Sequence, residues 1–456
     1  MYSKNAWEKY DEAQLKEVMA LADDYREFIS KAKIEREQVT ESVLLLEKAG
    51  YKPFEYGKKY AAGDKVYFTN KKKNVLAFKI GTAPLTKGLR VLGAHIDSPR
   101  LDVKQNPLYE SSNLAFLDTH YYGGIKKYQW TATPLAIHGV VAKKDGTVVD
   151  VVIGEDEADP ILGINELLIH LSATQMQKPG STVVEGEDLD LTMGSRPTKK
   201  DGKDSVKETV LAILKEKYGM EEEDFVSAEL EVVPAGKARD FGLDRSMIAG
   251  YGHDDKCCAY TSLRALLDID TVPTYTSCVA LVDKEEVGSN GATGAHSRFF
   301  ENCIAELVEA TGEPFSRVKD ALSNSYMLSS DVSAGYDPLY AYTMETRNAC
   351  YMGNGVVFNK YTGARGKSGC NDANAELIAW LRRVMDDAKV NFQTAELGKG
   401  DQGGGGTIAY ILANLNMNVI DAGMPVLNMH APMEVISKAD LYESYQAYKA
   451  FILADF

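Results

Sequence analysis

Two kinds of apolar pattern alternate along most of this sequence, and their alternation limits the fold more than any other feature. NVLAFKIG, LRVLGAHID, TYTSCVALVD, SYMLSSD and NVIDAGMPVLNMH are short apolar runs of strand type. Around them lie longer segments whose apolar residues recur at three and four. The first of these carries Leu15, Val18, Met19, Ala22, Tyr25 and Ile29, and ESVLLLEKAG follows it, with a stop at Gly50. HSRFFENCIAELVEATG, NDANAELIAWLRRVMDD, GGTIAYILANLN and KADLYESYQAYKAFILA continue the series. Such alternation predicts an α/β architecture, a sheet covered by helices. The middle of the chain breaks the pattern. TPLAIHGVVAKKDGTVVDVVIG reads as paired strands with a turn at Lys144-Asp145-Gly146, and Ser195 to Asp204 is polar enough for an exposed loop. The expected organisation is an α/β domain in two parts, 1–104 and 234–456, interrupted by an inserted β-rich domain at 105–233.

Composition narrows the function classes. The 456 residues correspond to roughly three domain-sized units at about 150 residues each. An apolar share of 45% excludes wholesale disorder. Lys plus Arg number 51 and Asp plus Glu 66, a net charge of −15 that argues against nucleic acid or an anionic membrane as the main partner. Six cysteines without a C-x-x-C pair signal neither a zinc ribbon nor a disulfide framework. MYSKNAWEKYDEAQLKEV lacks the apolar stretch of a signal peptide, and no run approaches the roughly 18 residues of a membrane span. A soluble, cytoplasmic protein is expected.

Several apolar runs end in chemistry. His95 and His430, two of only seven histidines, close LRVLGAH and MPVLNMH. Glu285 and Glu286 follow TYTSCVALVD, Asp331 follows SYMLSS, and Asp254 with Asp255 precedes a helical segment. Singly, each has an ordinary reading as a helix cap, a turn acid or a solvated corner. Together they suit a pair of zinc-like cations, because ligands gather at the carboxyl ends of parallel strands and carboxylates can bridge two metals. Asp97 stands two residues after His95, where a strand would put both on one face and let the carboxylate accept the second ring N–H. Adjacent Glu285 and Glu286 suggest divided labour, one binding metal and the other moving a proton. The glycines at 403–406 lack the Lys-Ser/Thr of a phosphate loop and suggest backbone passing close to a substrate. No G-x-S-x-G elbow is present.

Found together in this order, GAHIDSPRLDVK, GYGHDD, LVDKEEVGSNGATG, SSD and MPVLNMH resemble the aspartyl aminopeptidase family of dinuclear zinc metallopeptidases, over nearly the whole chain. The resemblance implies a mixed-sheet α/β catalytic domain with helices on both faces and an inserted β-rich dimerisation domain. It implies two zinc ions per chain, replaceable by cobalt or manganese. His95 and Asp331 would hold one ion, Glu286 and His430 the other, and Asp254 would bridge them. Glu285 would be the general base and Asp97 would orient His95, while His253 matches no ligand position and reads as structural. His170, in LLIHLSATQ, would reach into the partner's site and bind the oxyanion. Dimers would assemble into a tetrahedral dodecamer that admits only small peptides. Arg365 and Lys367, in NKYTGARGKSGCN, are the candidates for holding an acidic side chain. The implied activity is removal of N-terminal residues, with Asp and Glu favoured. A dizinc aminopeptidase of neutral specificity and a non-catalytic oligomeric scaffold are the alternatives.

Overall fold

A computed structural model describes residues 4–198 and 202–455. Of the expected polar loop, 199–201 lie outside the described residues. The chain divides into two units. One comprises Met1–Asp97, Ala238–Met429 and Glu434–Phe456, and the other Ser98–Lys237 with His430–Met433.

In the first unit the strand-like runs build one nine-stranded sheet. Its spatial order is Lys52–Pro53, Lys65–Asn70, Asn74–Lys79, Thr276–Val282, Leu89–His95, Tyr326–Ser329, Asn418–Gly423, Val356–Asn359 and Phe392–Thr394. The four central strands, from Thr276–Val282 to Asn418–Gly423, are mutually parallel, so their carboxyl ends emerge along one edge. These strands are buried on both faces, which is why they read as continuous apolar runs. Glu12–Lys31, Glu35–Lys48, His253–Leu267, Ala375–Asp387 and Lys438–Leu453 contribute to one core, and Phe299–Ala310, Val318–Ser323 and Ala409–Ala413 to the other. The first helix shows how sequence sets this packing. Asp11 caps it by accepting the Gln14 N–H while Gln14 returns the bond, and Val18, Leu21, Ala22, Tyr25, Phe28 and Ile29 form the buried stripe. Burial of each large member contributes about 1.5–3 kcal/mol.

Two sequence expectations change. NVIDAGMPVLNMH is two strands rather than one. Asn418–Gly423 stays in the large sheet, and Pro425–Leu427 joins a five-stranded sheet with Ser333–Ala334 and Glu434–Ser437. The break follows a close approach, since a Cβ on Gly423 would lie 1.8 Å from the Asp331 carbonyl oxygen. The helix expected over GGTIAYILANLN shortens to Ala409–Ala413, because the preceding glycines favour other backbone conformations.

The second unit is a seven-stranded sheet in the order Val148–Ile153, Leu135–Ala142, Ala228–Pro234, Arg100–Ser111, Leu114–Tyr122, Leu191–Gly194 and Gly163–Ile164. Its named pairings are antiparallel. The expected turn is there: Lys143 N–H donates to Thr147 O at 2.8 Å, and Gly146 takes φ +88°. Arg100–Ser111 is one named strand running through residue 105. No helix among the described residues is long and apolar enough to cross a membrane.

Candidate metal centre

Five of the predicted site residues come together where the parallel strands end. His95 closes its strand and is 1% exposed. Its Nε2 lies 3.1 Å from Asp254 Oδ1 and 3.9 Å from Glu285 Oε2. Ligand atoms of His95, Glu285 and Asp331 lie within 4.8 Å of one another, as do those of His95, Asp254 and Glu286 and those of Asp254, Asp255 and Asp331. Local chain geometry delivers each group. Gly252, at φ +76°, turns the chain from the Met247–Gly250 strand into the helix that opens with His253, Asp254 and Asp255. Lys284 and Gly288, both left-handed, bracket the single helical turn Glu285–Val287 that directs the two glutamates.

Asp97 has more to do than its spacing suggested. The His95 Nδ1 is 3.0 Å from the Asp97 carbonyl oxygen and 3.3 Å from its carboxylate. That carboxylate also accepts the backbone N–H of Glu285 at 3.1 Å and of Glu286 at 3.2 Å. One buried side chain thus anchors the imidazole and the turn bearing both glutamates. Two further groups have roles that the sequence did not assign. Asp255, fully buried, accepts the His95 backbone N–H at 3.3 Å. Glu434, 1% exposed, accepts the Asp254 N–H at 3.0 Å. The adjacency of Asp255 to Asp254 was the only available signal for the first, and nothing local marks the second.

The electrostatics fit a cation. Burial alone would keep His95 neutral, yet hydrogen bonds to Asp254 and Asp97 and the Glu285 charge lift its pKa well above the ordinary value. Burial, then the Glu285 charge, pushes Asp331 well up, and burial, then Cys258 and Asp331, does the same for Asp255. Crowded carboxylates in a dry interior require positive charge, from protons or from metal. A divalent ion would displace those protons. Carboxylate and imidazole donors suit zinc. Cys257 and Cys258 lie beside Asp255, and burial pushes the Cys257 thiol to about 11 and Cys258 well up, which keeps both thiols protonated in the metal-free protein.

His430 is in none of these clusters. It belongs to the segment grouped with the second unit, where its Nδ1 is 2.8 Å from Gly124 O. His170 is exposed on the short helix Ile169–Leu171, among exposed Leu168, Ile169 and Leu171. Lys367 pairs with Asp372 at 3.0 Å and lies over the Tyr361 ring, while Arg365 is exposed in the same loop. The first two glycines of the run, Gly403 and Gly404, are crowded by loop backbone. A Cβ on Gly403 would be 1.6 Å from Leu397 O, and one on Gly404 would be 2.5 Å from Ala364 Cα. Those two glycines therefore serve loop packing, whereas a Cβ on Gly406 would meet nothing within 4 Å.

His253 is a core group, with Nδ1 2.7 Å from the Tyr25 hydroxyl. Burial lowers its pKa from 6.5 to about 3. The folded state holds it neutral while the unfolded chain protonates it, so its contribution is complete above about pH 6.5 and is lost as pH falls toward 3. The loss is on the order of 1.4 kcal/mol per pH unit. His253→Gln should therefore flatten the fall in urea-unfolding stability between pH 6.5 and 4.5 relative to the parent. Parallel curves would contradict a neutral buried imidazole.

Comparison with known proteins gives a consistent result. Residues 28–452 match the family model described as aminopeptidase I zinc metalloprotease (M18). A probable M18 family aminopeptidase 1 of Clostridium acetobutylicum is 59% identical over 456 residues, covering 98% of each chain. The crystal structure of an M18 family aminopeptidase from Thermotoga maritima superposes with a TM-score of 0.95 at 44% identity, covering 99% of each chain. A structure of the S. cerevisiae mApe1 dodecamer shares the fold at 20% identity, with a TM-score of 0.75, covering 94% of this chain and 96% of that one.

Proposed function

Because this chain belongs to the M18 family of zinc metalloproteases and is a metalloaminopeptidase, we propose that it uses two zinc ions and Glu285 as general base to release N-terminal residues, acidic ones preferentially, from small peptides. The observation that carries this reading is the meeting of His95, Asp254, Glu285, Glu286 and Asp331 at the carboxyl ends of parallel strands. His95 and Asp331 would hold one ion, Glu286 the other, and Asp254 both. His430 is kept as the second imidazole on the MPVLNMH motif, and an Nδ1–H given to the Gly124 carbonyl would leave Nε2 as the donor atom. Bound zinc supplies Lewis acidity, polarising the scissile carbonyl and acidifying water.

The protein's own groups do the rest. The Glu285 carboxylate takes a proton from the attacking water and returns it to the departing amine. Asp97 holds Glu285 and His95 in place through the bonds described above. His170 of a second copy would donate to the oxyanion, and the exposed apolar residues around it support a surface covered in an oligomer. Dimers forming a tetrahedral dodecamer, and a cytoplasmic location, belong to the same proposal.

Arg365 is the better candidate for the acidic side chain, because Lys367 is already paired with Asp372. That pairing also favours the second reading, a neutral specificity. Aspartyl and leucyl chromogenic amides separate the two. A charge-assisted hydrogen bond of about 1.5–3 kcal/mol corresponds to roughly 10- to 100-fold in kcat/KM. The aspartyl substrate should lead by that margin, and Arg365→Ala should erase the lead. Faster cleavage of the leucyl substrate by the parent enzyme would establish the neutral reading.

A further inference from the structure

The loop that carries Glu285 and Glu286 is held at two places, and Asp97 accounts for only one of them. The loop leaves the strand Thr276–Val282 at Asp283 and returns to it at Gly294, where Asp283 and Gly294 pair as an isolated bridge. Between those points Lys284, Gly288, Ser289 and Gly291 all have positive φ, from +59° to +99°. Backbone rich in such residues has many alternative conformations, so outside contacts must select one.

At the closing end two buried side chains make that selection. Thr293 Oγ1 donates to Asp283 Oδ2 at 2.6 Å, and the Asp283 N–H donates to Thr293 O at 3.3 Å. Asn74 Nδ2 donates to the same Thr293 carbonyl at 2.5 Å. Asn74 opens the strand Asn74–Lys79, which pairs with Thr276–Val282, and its Oδ1 accepts from Asn70 Nδ2 at 3.0 Å. All three closing residues are interior: Asp283 is 0% exposed, Asn74 1% and Thr293 5%. The return is tight as well, since a Cβ on Gly294 would lie 2.1 Å from Ser289 O. Asp283 belongs to none of the ligand clusters.

We propose that Thr293 and Asn74 are positioning residues for proton transfer: they fix the root of the loop and, through it, the direction in which Glu285 presents its carboxylate. The proposal rests on Glu285 as the general base. Asp97 fixes the Glu285 and Glu286 amides. The Thr293 hydroxyl fixes Asp283, two residues earlier. Two fixed points orient the turn, whereas one would let it swing. A buried carboxylate deprived of its hydroxyl donor seeks another partner, and the root of the loop would move with it. Asn74 acts one bond further back, by holding the Thr293 carbonyl against the neighbouring strand.

The test is steady-state kinetics of zinc-loaded variants on an N-terminal amide, well below each protein's unfolding midpoint, with metal content measured alongside. Thr293→Val keeps the shape and removes the hydroxyl. It should lower kcat about 10- to 100-fold, with KM changed by less than about twofold and full metal content. Thr293→Ser, which restores the donor, should return kcat to within about threefold of the parent. Asn74→Ala probes the second contact separately and should also lower kcat with little change in KM. In a Glu285→Gln background, Thr293→Val should cost less than about a further twofold, because no proton carrier is left to misplace. If both Thr293→Val and Asn74→Ala keep kcat within about twofold of the parent, the proposal fails whatever their midpoints, and an inactive Glu285→Gln enzyme still upholds the base. A fall in kcat that tracks lost metal, or a full additional loss in the Glu285→Gln background, also overturns it. A fully active Glu285→Gln enzyme removes the base assignment and the proposal with it.

Discussion

Glu285→Gln should leave the protein loaded with its full complement of metal while slowing turnover by about 10³-fold or more, near the upper part of the range for loss of a general base. The substitution keeps the side chain's size and removes its ability to accept a proton. It also leaves untouched the Glu285 backbone N–H that donates to Asp97 at 3.1 Å. Position is thereby separated from basicity. The check is kcat on an N-terminal amide together with metal content by elemental analysis. A variant within tenfold of the parent enzyme would remove Glu285 from the proton-transfer role.

The second large effect is expected at Asp254, whose carboxylate is 3.1 Å from His95 Nε2 and belongs to two of the ligand clusters. Asp254→Ala should lower bound metal to one ion or none after dialysis and reduce turnover beyond about 10³-fold, since the metal's transition-state stabilisation is worth several kcal/mol.

What was legible in the sequence follows from what a local pattern can encode. Apolar runs ending in His95, Glu285 and Asp331 announced a cluster of polar groups at strand ends, because buried parallel strands are apolar throughout and the groups that meet beyond them come just after. The stripe at Leu15, Val18, Met19, Ala22, Tyr25 and Ile29 announced a helix face; Val18, Ala22, Tyr25 and Ile29 are buried, while Met19 is half-buried and Leu15, near the start of the helix, is exposed. The spatial order of strands was not legible, since it depends on pairings between residues hundreds of positions apart. The roles of Asp255 and Glu434 were not legible for a related reason: each acts by accepting a backbone N–H from a distant segment, and such a bond has no periodicity. The break after Gly423 was invisible because it arises from the Asp331 carbonyl lying against it. Composition could suggest the β-rich middle, but strand boundaries such as the start at Arg100 required the ladder itself.

The double grip of Asp97 on Glu285 and Glu286 has an evolutionary corollary. Two consecutive amides held by one carboxylate behave as a single lever, so, with Glu286 proposed as ligand and Glu285 as base, a substitution that shifts the lever to suit a different ion would also displace the proton carrier. Attempts to breed a new metal preference should therefore find it inseparable from changed reaction speed, unless the anchoring aspartate is reworked first.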